Sequence, residues 1–152
     1  GNRGTSMTLV LDASMSLAWF FERNRTEEVA LADEALSRLP EFDVVVPGLW
    51  HTEVANALLV GERRKVVSEA QVIDFLSRLS ALAITTDEIP PEIRRDVVMA
   101  LAREHGLTAY DATYLELAMR SGAVLATFDA RLATAMRQAG GAVFGDEPER
   151  VS

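Results

Sequence analysis

Short continuous runs of apolar residues alternate along this chain with longer stretches in which apolar residues recur every three or four positions. The short runs predict strands, whereas the longer stretches have the period of amphipathic helices. The predicted strands cover 8–11, 43–46, 82–85 and 123–128, with a short edge strand at 142–144. The predicted helices cover 13–21, 27–39, 49–60, 68–80, 90–104, 107–118 and 130–139.

The alternation of strands and helices predicts a single α/β domain. Successive βαβ units with right-handed connections give a mainly parallel sheet that helices cover on both faces, a three-layer α/β/α sandwich. We expect this domain to span 7–147, after a tag remnant at 1–6 and before a frayed tail at 148–152. Ligands of such sheets bind outside the carboxyl ends of the strands, so acids at those ends are the first candidates for a site.

One predicted helix has a carboxylate on its apolar face. Helical spacing in 107–118 places Asp111 in the middle of a face formed by Leu107, Tyr110, Tyr114, Leu115 and Ala118. On the opposite face we expect Glu116 and Arg120 to form an ordinary solvated pair, beside Ala109 and Thr113. An ionised Asp that points inward is normally paired, capped or bound to a metal. Asp111 is therefore a candidate ligand.

Three further acids occupy positions that suit a ligand site but also have local explanations. Asp12 follows the first predicted strand and Asp129 follows the fourth, and each is also well placed to cap the next helix. Glu53 lies on the flank of the apolar stripe of 49–60, where a glutamate commonly keeps its stem on the core and its head in water. If the helices approach the same edge of the sheet, these acids and Asp111 converge, and one joint explanation replaces four separate ones.

Converging carboxylates predict bound cations. Each like-charged pair about 4 Å apart costs about 4 kcal/mol at an effective dielectric constant of about 20, and metal ions relieve this repulsion. Hard carboxylate oxygens suit Mg²⁺ or Mn²⁺ better than zinc. His51 and His105 are not spaced as a zinc motif and are expected to be surface or packing residues. Ser14 and Thr127 would orient ligands or water, unless they are only a cap residue and a strand residue.

The composition limits the partners of such a site. The 152 residues are 49% hydrophobic and 25% charged, as in soluble globular proteins, and the formal net charge is −8. This total repels a polyanion such as RNA, so RNA binding needs bound cations or local basic patches. The densest basic run, Arg63 to Lys65, is typical of a solvated face. Cysteine is absent and no apolar run has transmembrane length, so we expect a cytosolic protein without membrane contact.

Four short pieces of the chain, taken in order and spacing, resemble the PIN domain family and within it the VapC toxins of bacterial toxin–antitoxin pairs. They are Val-Leu-Asp-Ala-Ser at 10–14, Glu-Val-Ala-Asn-Ala-Leu at 53–58, Leu-Thr-Ala-Tyr-Asp-Ala-Thr-Tyr-Leu at 107–115 and Ala-Thr-Phe-Asp at 126–129. The resemblance covers nearly all of 7–144. It implies a catalytic and metal-binding set formed by Asp12, Glu53, Asp111 and Asp129, with Ser14 and Thr127 in support.

The same resemblance implies a Mg²⁺-dependent ribonuclease that forms a homodimer and is inhibited by a cognate antitoxin. The hypothesis that the acids motivate is hydrolysis of an RNA phosphodiester with the help of Mg²⁺, or alternatively Mn²⁺, and without a covalent protein intermediate.

Two other functions are open at this stage. A noncatalytic PIN-like binding module would keep the acids without cutting RNA. A phosphotransfer protein, either a receiver or a phosphatase, would use Asp12 as a nucleophile. Ser14 stands where the phosphatase chemistry commonly needs a second Asp, and no Gly-rich loop follows Leu11 as a dinucleotide enzyme would require.

Overall fold

A computed structural model describes residues 6–147 of the chain. Five strands form one sheet in the order β3-β2-β1-β4-β5, and every neighbouring pair is parallel. The strands are β1 Met7–Leu11, β2 Phe42–Val46, β3 Ile84–Thr86, β4 Val124–Ala126 and β5 Ala142–Val143. The predicted tag remnant and frayed tail lie, apart from Ser6, outside the described residues, and the domain limits remain a prediction.

Helices connect the strands and complete a three-layer α/β/α arrangement. They are α1 Ala13–Leu17, α2 Thr26–Arg38, α3 Gly48–Arg63, α4 Glu69–Ser80, α5 Pro91–His105, α6 Ala109–Ser121 and α7 Ala130–Gln138, with a 3₁₀ turn at Leu39–Glu41. None of the helices within 6–147 is long and apolar enough to span a membrane.

Local sequence signals set many of the helix ends. Ser68 and Gln71 form a reciprocal capping box at the start of α4, and the Thr108 side chain accepts a hydrogen bond from the Asp111 backbone N–H at the start of α6. Gly106 and Gly122 end α5 and α6 with φ angles of 65° and 61°. Those angles lie in the left-handed region that glycine adopts without strain.

The first helix is shorter than predicted. The pattern predicted 13–21, whereas α1 ends at Leu17 and the chain turns through the following aromatic residues. Phe20 stacks on Phe75 with ring centroids 4.7 Å apart, and Trp19 Nε1 donates to the carbonyl of Ala32. These contacts with α4 and α2 are long-range, so the local apolar period could not reveal where the helix stops.

The third helix is longer than predicted and passes through Gly61. The chain remains helical to Arg63 instead of stopping at residue 60. A Cβ atom at Gly61 would lie 2.9 Å from the Phe21 ring, so the missing side chain makes room for the aromatic turn after α1. Residues 61–63, which lie between two predicted helices, are therefore helical.

The predicted solvated pair on α6 was wrong. The Glu116 side chain is 3% exposed, and its carboxylate accepts hydrogen bonds from Arg94 of α5 and from Arg120. Arg120 also pairs with Asp87, with an Nη2 to Oδ2 distance of 2.7 Å. Conversely Tyr110, predicted to face the core, is 63% exposed. α6 packs against β1, α5 and α7. More of its surface is therefore buried than in an amphipathic helix that packs on one face only.

Candidate metal and active site

Asp12 and Asp129 lie at the point where the strand order of the sheet reverses. From β1 the chain builds β2 and β3 on one side, then crosses to place β4 and β5 on the other side. The carboxyl ends of β1 and β4 are therefore adjacent, and the Asp12 backbone N–H donates to Ala126 O at 3.1 Å. Such a reversal opens a crevice outside the strand ends where ligands of α/β proteins bind. Asp12 directly follows β1, as predicted. The predicted strand 123–128 is shorter in the structure, so Asp129 follows β4 after Thr127 and Phe128.

The Asp12 carboxylate is 5% exposed and held by three donors. Oδ1 accepts from Ser14 Oγ at 2.7 Å and from the Met15 backbone N–H at 3.0 Å, and Oδ2 accepts from the Thr127 hydroxyl. A carboxylate can accept about four hydrogen bonds, two on each oxygen. The three donors therefore leave about one acceptor direction free, and it is on Oδ2. Asp12 is thus both the predicted N-cap of α1 and a fixed oxygen donor.

Ser14 and Thr127 connect the two strand ends. The Ser14 Oγ that donates to Asp12 also accepts from the Phe128 backbone N–H at 2.9 Å. Thr127 Oγ1 likewise accepts from the Asp129 backbone N–H at 2.9 Å. Each hydroxyl therefore joins the Asp12 carboxylate to the loop that presents Asp129. Asp129 Oδ1 in turn caps α7 by accepting from the Leu132 N–H at 2.9 Å.

A buried serine that the sequence reasoning missed supports Asp12 from behind. Ser16 is 0% exposed, donates to the Asp12 carbonyl at 2.9 Å, and accepts from Trp50 Nε1 at 2.9 Å. This chain of hydrogen bonds ties the start of α1 to α3. Ser16 lies between apolar residues of the first predicted helix and four residues after a candidate acid, and this position was the available signal.

Glu53 reaches the site from α3 and is bound by a second residue that the sequence reasoning missed. The Tyr114 hydroxyl donates to Glu53 Oε1 at 2.5 Å, and Tyr114 is 2% exposed. The sequence reasoning assigned Tyr114 only to the apolar face of its helix. A buried phenol nearly always needs a hydrogen-bond partner, and this rule was the available signal.

Burial and neighbouring charge shift the protonation of Asp12. Burial raises the pKa of Asp12 to about 6, the hydrogen bonds from Thr127, Met15 and Ser14 oppose the rise, and the Glu53 carboxylate adds to it. The burial of the Tyr114 phenol, its hydrogen bond to Glu53 and the nearby acids together raise the pKa of Tyr114 far above its ordinary value.

The same electrostatic coupling includes the other two acids. The pKa of Asp111 is raised, first by burial and then by the charges of Asp129 and Glu53, while a hydrogen bond from Thr108 opposes the rise. The Glu53 charge thus acts on both Asp12 and Asp111, and the Asp129 charge acts on Asp111.

The geometry agrees with comparisons to known proteins. A family model described as PIN domain matches residues 9–137 of the chain. The chain belongs to the PIN domain family. This PIN domain is similar to Ribonuclease VapC3 of Pyrobaculum aerophilum, with 35% identity over 131 residues that cover 84% of the chain and 93% of that relative. The family resemblance drawn from the four sequence pieces is confirmed.

Two solved structures resemble this PIN domain in fold. PAE2754 from Pyrobaculum aerophilum has a TM-score of 0.65 and 28% identity, and the match covers 86% of this chain and 87% of that one. FitAcB from Neisseria gonorrhoeae has a TM-score of 0.60 and 18% identity, and the match covers 90% of this chain and 96% of that one. The predicted three-layer α/β/α fold with a parallel sheet is confirmed.

The donor chemistry of this PIN domain fits a hard divalent cation. All four candidate ligands are carboxylates, and Asp12 keeps a free lone-pair direction. Burial raises the pKa values of Asp12 and Asp111 most, and neighbouring acids, whose repulsion a cation relieves, add to the rise. As the side chains stand, no three acid or imidazole groups within 6–147 form a closed ligand set.

The histidines contact residues other than the four acids, and the basic run is on the surface. His51 is exposed and bonds Thr86 Oγ1 at 2.9 Å, and His105 lies 3.4 Å from Gln138 Oε1. Arg63 follows Glu53 by ten residues of α3, which is about 15 Å along a helix axis. Arg63, Arg64 and Lys65 are exposed, as expected of a solvated cluster.

Proposed function

We propose that this PIN domain is a metal-dependent endoribonuclease that hydrolyses RNA phosphodiester bonds and serves as the toxin of a toxin–antitoxin pair. The observation that carries the proposal is the buried Asp12 carboxylate at the reversal point of the sheet, which Thr127 joins by hydrogen bonds to the loop that presents Asp129. Its similarity to Ribonuclease VapC3 supports the choice of RNA as substrate and of an antitoxin as partner.

Asp12, Glu53, Asp111 and Asp129 would hold Mg²⁺, or alternatively Mn²⁺. The bound cation would supply Lewis acidity for the attack of water on the phosphate and for charge on the leaving oxygen. Ser14 and Thr127 keep the Asp12 carboxylate oriented through their hydrogen bonds. Asp12 is buried and bound by three donors, which suits a fixed ligand better than a nucleophile that must move toward phosphorus.

The remaining partners follow from the resemblance. We propose a homodimer that acts in the cytoplasm and is silenced by a cognate antitoxin. The net charge of −8 opposes RNA binding, so the affinity for RNA should depend on the divalent cation and decrease at high salt.

The deciding experiment compares RNA cleavage and thermal melting for wild type, Asp111→Asn and Asp43→Asn, all purified free of antitoxin. Asp43 is an exposed acid at the amino end of β2 and serves as the matched control. We expect wild type and Asp43→Asn to cut RNA with Mg²⁺, and Mn²⁺ to raise their melting midpoints. Asp111→Asn should lose cleavage yet melt no lower than wild type without metal, since it loses a repelled charge.

Other results would identify the competing functions. Wild type that cuts no RNA but still binds a protein partner would be a noncatalytic module. A phosphoryl group trapped on Asp12 would indicate phosphotransfer. An Asp111→Asn variant that unfolds easily while binding Mn²⁺ normally would make Asp111 a structural residue.

A further inference from the structure

We infer that Tyr114 is a positioning residue that aims Glu53 at the cation, an inference that rests on the proposed function. The two residues are 61 positions apart and belong to α6 and α3. Tyr114 Oη lies 2.5 Å from Glu53 Oε1, and the Tyr114 ring is buried to 2% exposure. The phenol therefore fixes the carboxylate from a rigid part of the core.

Glu53 needs such a restraint more than the aspartates do. Its carboxylate stands at the end of a flexible side chain, it is half-buried, and the charges of Asp12 and Asp111 repel it. Without a donor it would gain both entropy and hydration by turning to solvent. The hydroxyl of Tyr114 is the donor that opposes this movement, because it is neutral and enters from the core side.

The hydrogen bond from Tyr114 also makes the two carboxylate oxygens of Glu53 different from each other. Oε1 is occupied by Tyr114, whereas Oε2 accepts no hydrogen bond from any residue between 6 and 147. Oε2 is thus the oxygen left for a cation. Asp111 and Tyr114 lie three residues apart on α6, so one helix supplies a proposed ligand and orients another.

The first test measures Mn²⁺ affinity by calorimetric titration of wild type, Tyr114→Phe and the control Tyr110→Phe. Phenylalanine keeps the ring in the core and removes only the hydroxyl. We expect Tyr114→Phe to weaken Mn²⁺ binding about 10- to 100-fold, the usual loss for a residue that orients a ligand. Tyr110 is on the same helix but 63% exposed, and its hydroxyl should not matter.

Metal-free melting and RNA kinetics separate positioning from a structural role. We expect the Tyr114→Phe midpoint without metal to remain close to that of wild type and its kcat to decrease with little change in KM for RNA. A lower metal-free midpoint with unchanged Mn²⁺ affinity would overturn the inference. If wild type itself binds no Mn²⁺, the proposed function fails as well, and the two failures are distinguishable.

A double-mutant cycle tests whether Tyr114 acts through Glu53. Glu53→Asp retains the carboxylate but is one methylene shorter, which withdraws it from the phenol. We expect Tyr114→Phe to have almost no further effect on Mn²⁺ affinity in the Glu53→Asp background. Fully additive losses would contradict the inference, because they would mean that Tyr114 affects the cation by another route.

Discussion

The Thr127 hydroxyl donates a hydrogen bond to Oδ2 of Asp12 across 115 positions of sequence. Thr127 Oγ1 also accepts a hydrogen bond from the Asp129 backbone N–H, so this one side chain couples the carboxyl ends of β1 and β4. Each of the two strand ends therefore depends on the other for its geometry, and disturbing this link should affect both the protonation and the cation affinity of the site.

Thr127→Val should raise the pKa of Asp12 above about 6, because the Thr127 hydrogen bond is the strongest of the three that lower it. Protons would then compete with the cation at higher pH, so half-maximal Mn²⁺ binding should shift to higher pH. The measurement is Mn²⁺ affinity as a function of pH. Thr127→Ser restores the hydroxyl and should behave as wild type, whereas an unshifted profile for Thr127→Val would contradict the expectation.

Asp12→Asn should become relatively more stable than wild type as the pH rises in the presence of chelator. The folded pKa of Asp12, about 6, exceeds its unfolded value of 3.8. The protonated acid thus favours folding, and this contribution is lost as the pH rises toward and through about 6. The free energy of unfolding of wild type minus that of Asp12→Asn should decrease by on the order of 1 kcal/mol between about pH 5 and pH 7.5.

Urea unfolding of both proteins across that range provides the measurement. A wild-type minus Asp12→Asn difference that stays constant with pH would show that the pKa of Asp12 is not raised. Saturating Mn²⁺ should reverse the trend, because the ionised carboxylate is then needed as a ligand.

Glu116→Gln should lower the free energy of unfolding by about 2 kcal/mol, since it removes the charge that compensates Arg94 and Arg120. The loss is smaller than for a fully buried pair because these arginine side chains are 31% and 23% exposed. Urea unfolding measures the effect. The control is Glu34→Gln, whose ion pair with Arg38 is exposed and should contribute almost nothing. Equal effects of the two substitutions would mean that the ion pairs of Glu116 contribute no more to the free energy of unfolding than an exposed pair does.

Ser16→Ala should destabilise the fold by about 1 to 3 kcal/mol, because the buried Trp50 indole N–H loses its acceptor and the Asp12 carbonyl loses a donor. Thermal melting without metal measures this loss. Ser37→Ala is the control, since that serine hydroxyl bonds a carbonyl at an exposed position. A Ser16→Ala midpoint as high as that of the control would show that water replaces the lost hydrogen bonds.

The sequence by itself determined the architecture and two of the four acids' positions. Apolar runs and helical periods are local properties, and a parallel sheet follows from their alternation, so β1, β4 and the acids after them could be located. Thr108, which caps α6, and Gly122, which ends it, are residue types that local rules favour at those positions.

Only the tertiary structure decided which polar groups are buried and which residues are their hydrogen-bond or ion-pair partners. Glu116 lies on the face of its helix that the sequence pattern predicts to be solvated, yet it is buried and Arg94 from another helix compensates its charge. Tyr114 lies on the predicted apolar face of the same helix, yet its hydroxyl donates a hydrogen bond to Glu53 of α3. A carboxylate or phenol is stable in the core only when a partner from elsewhere in the chain reaches it. That condition depends on packing between elements, which no local pattern of residues contains.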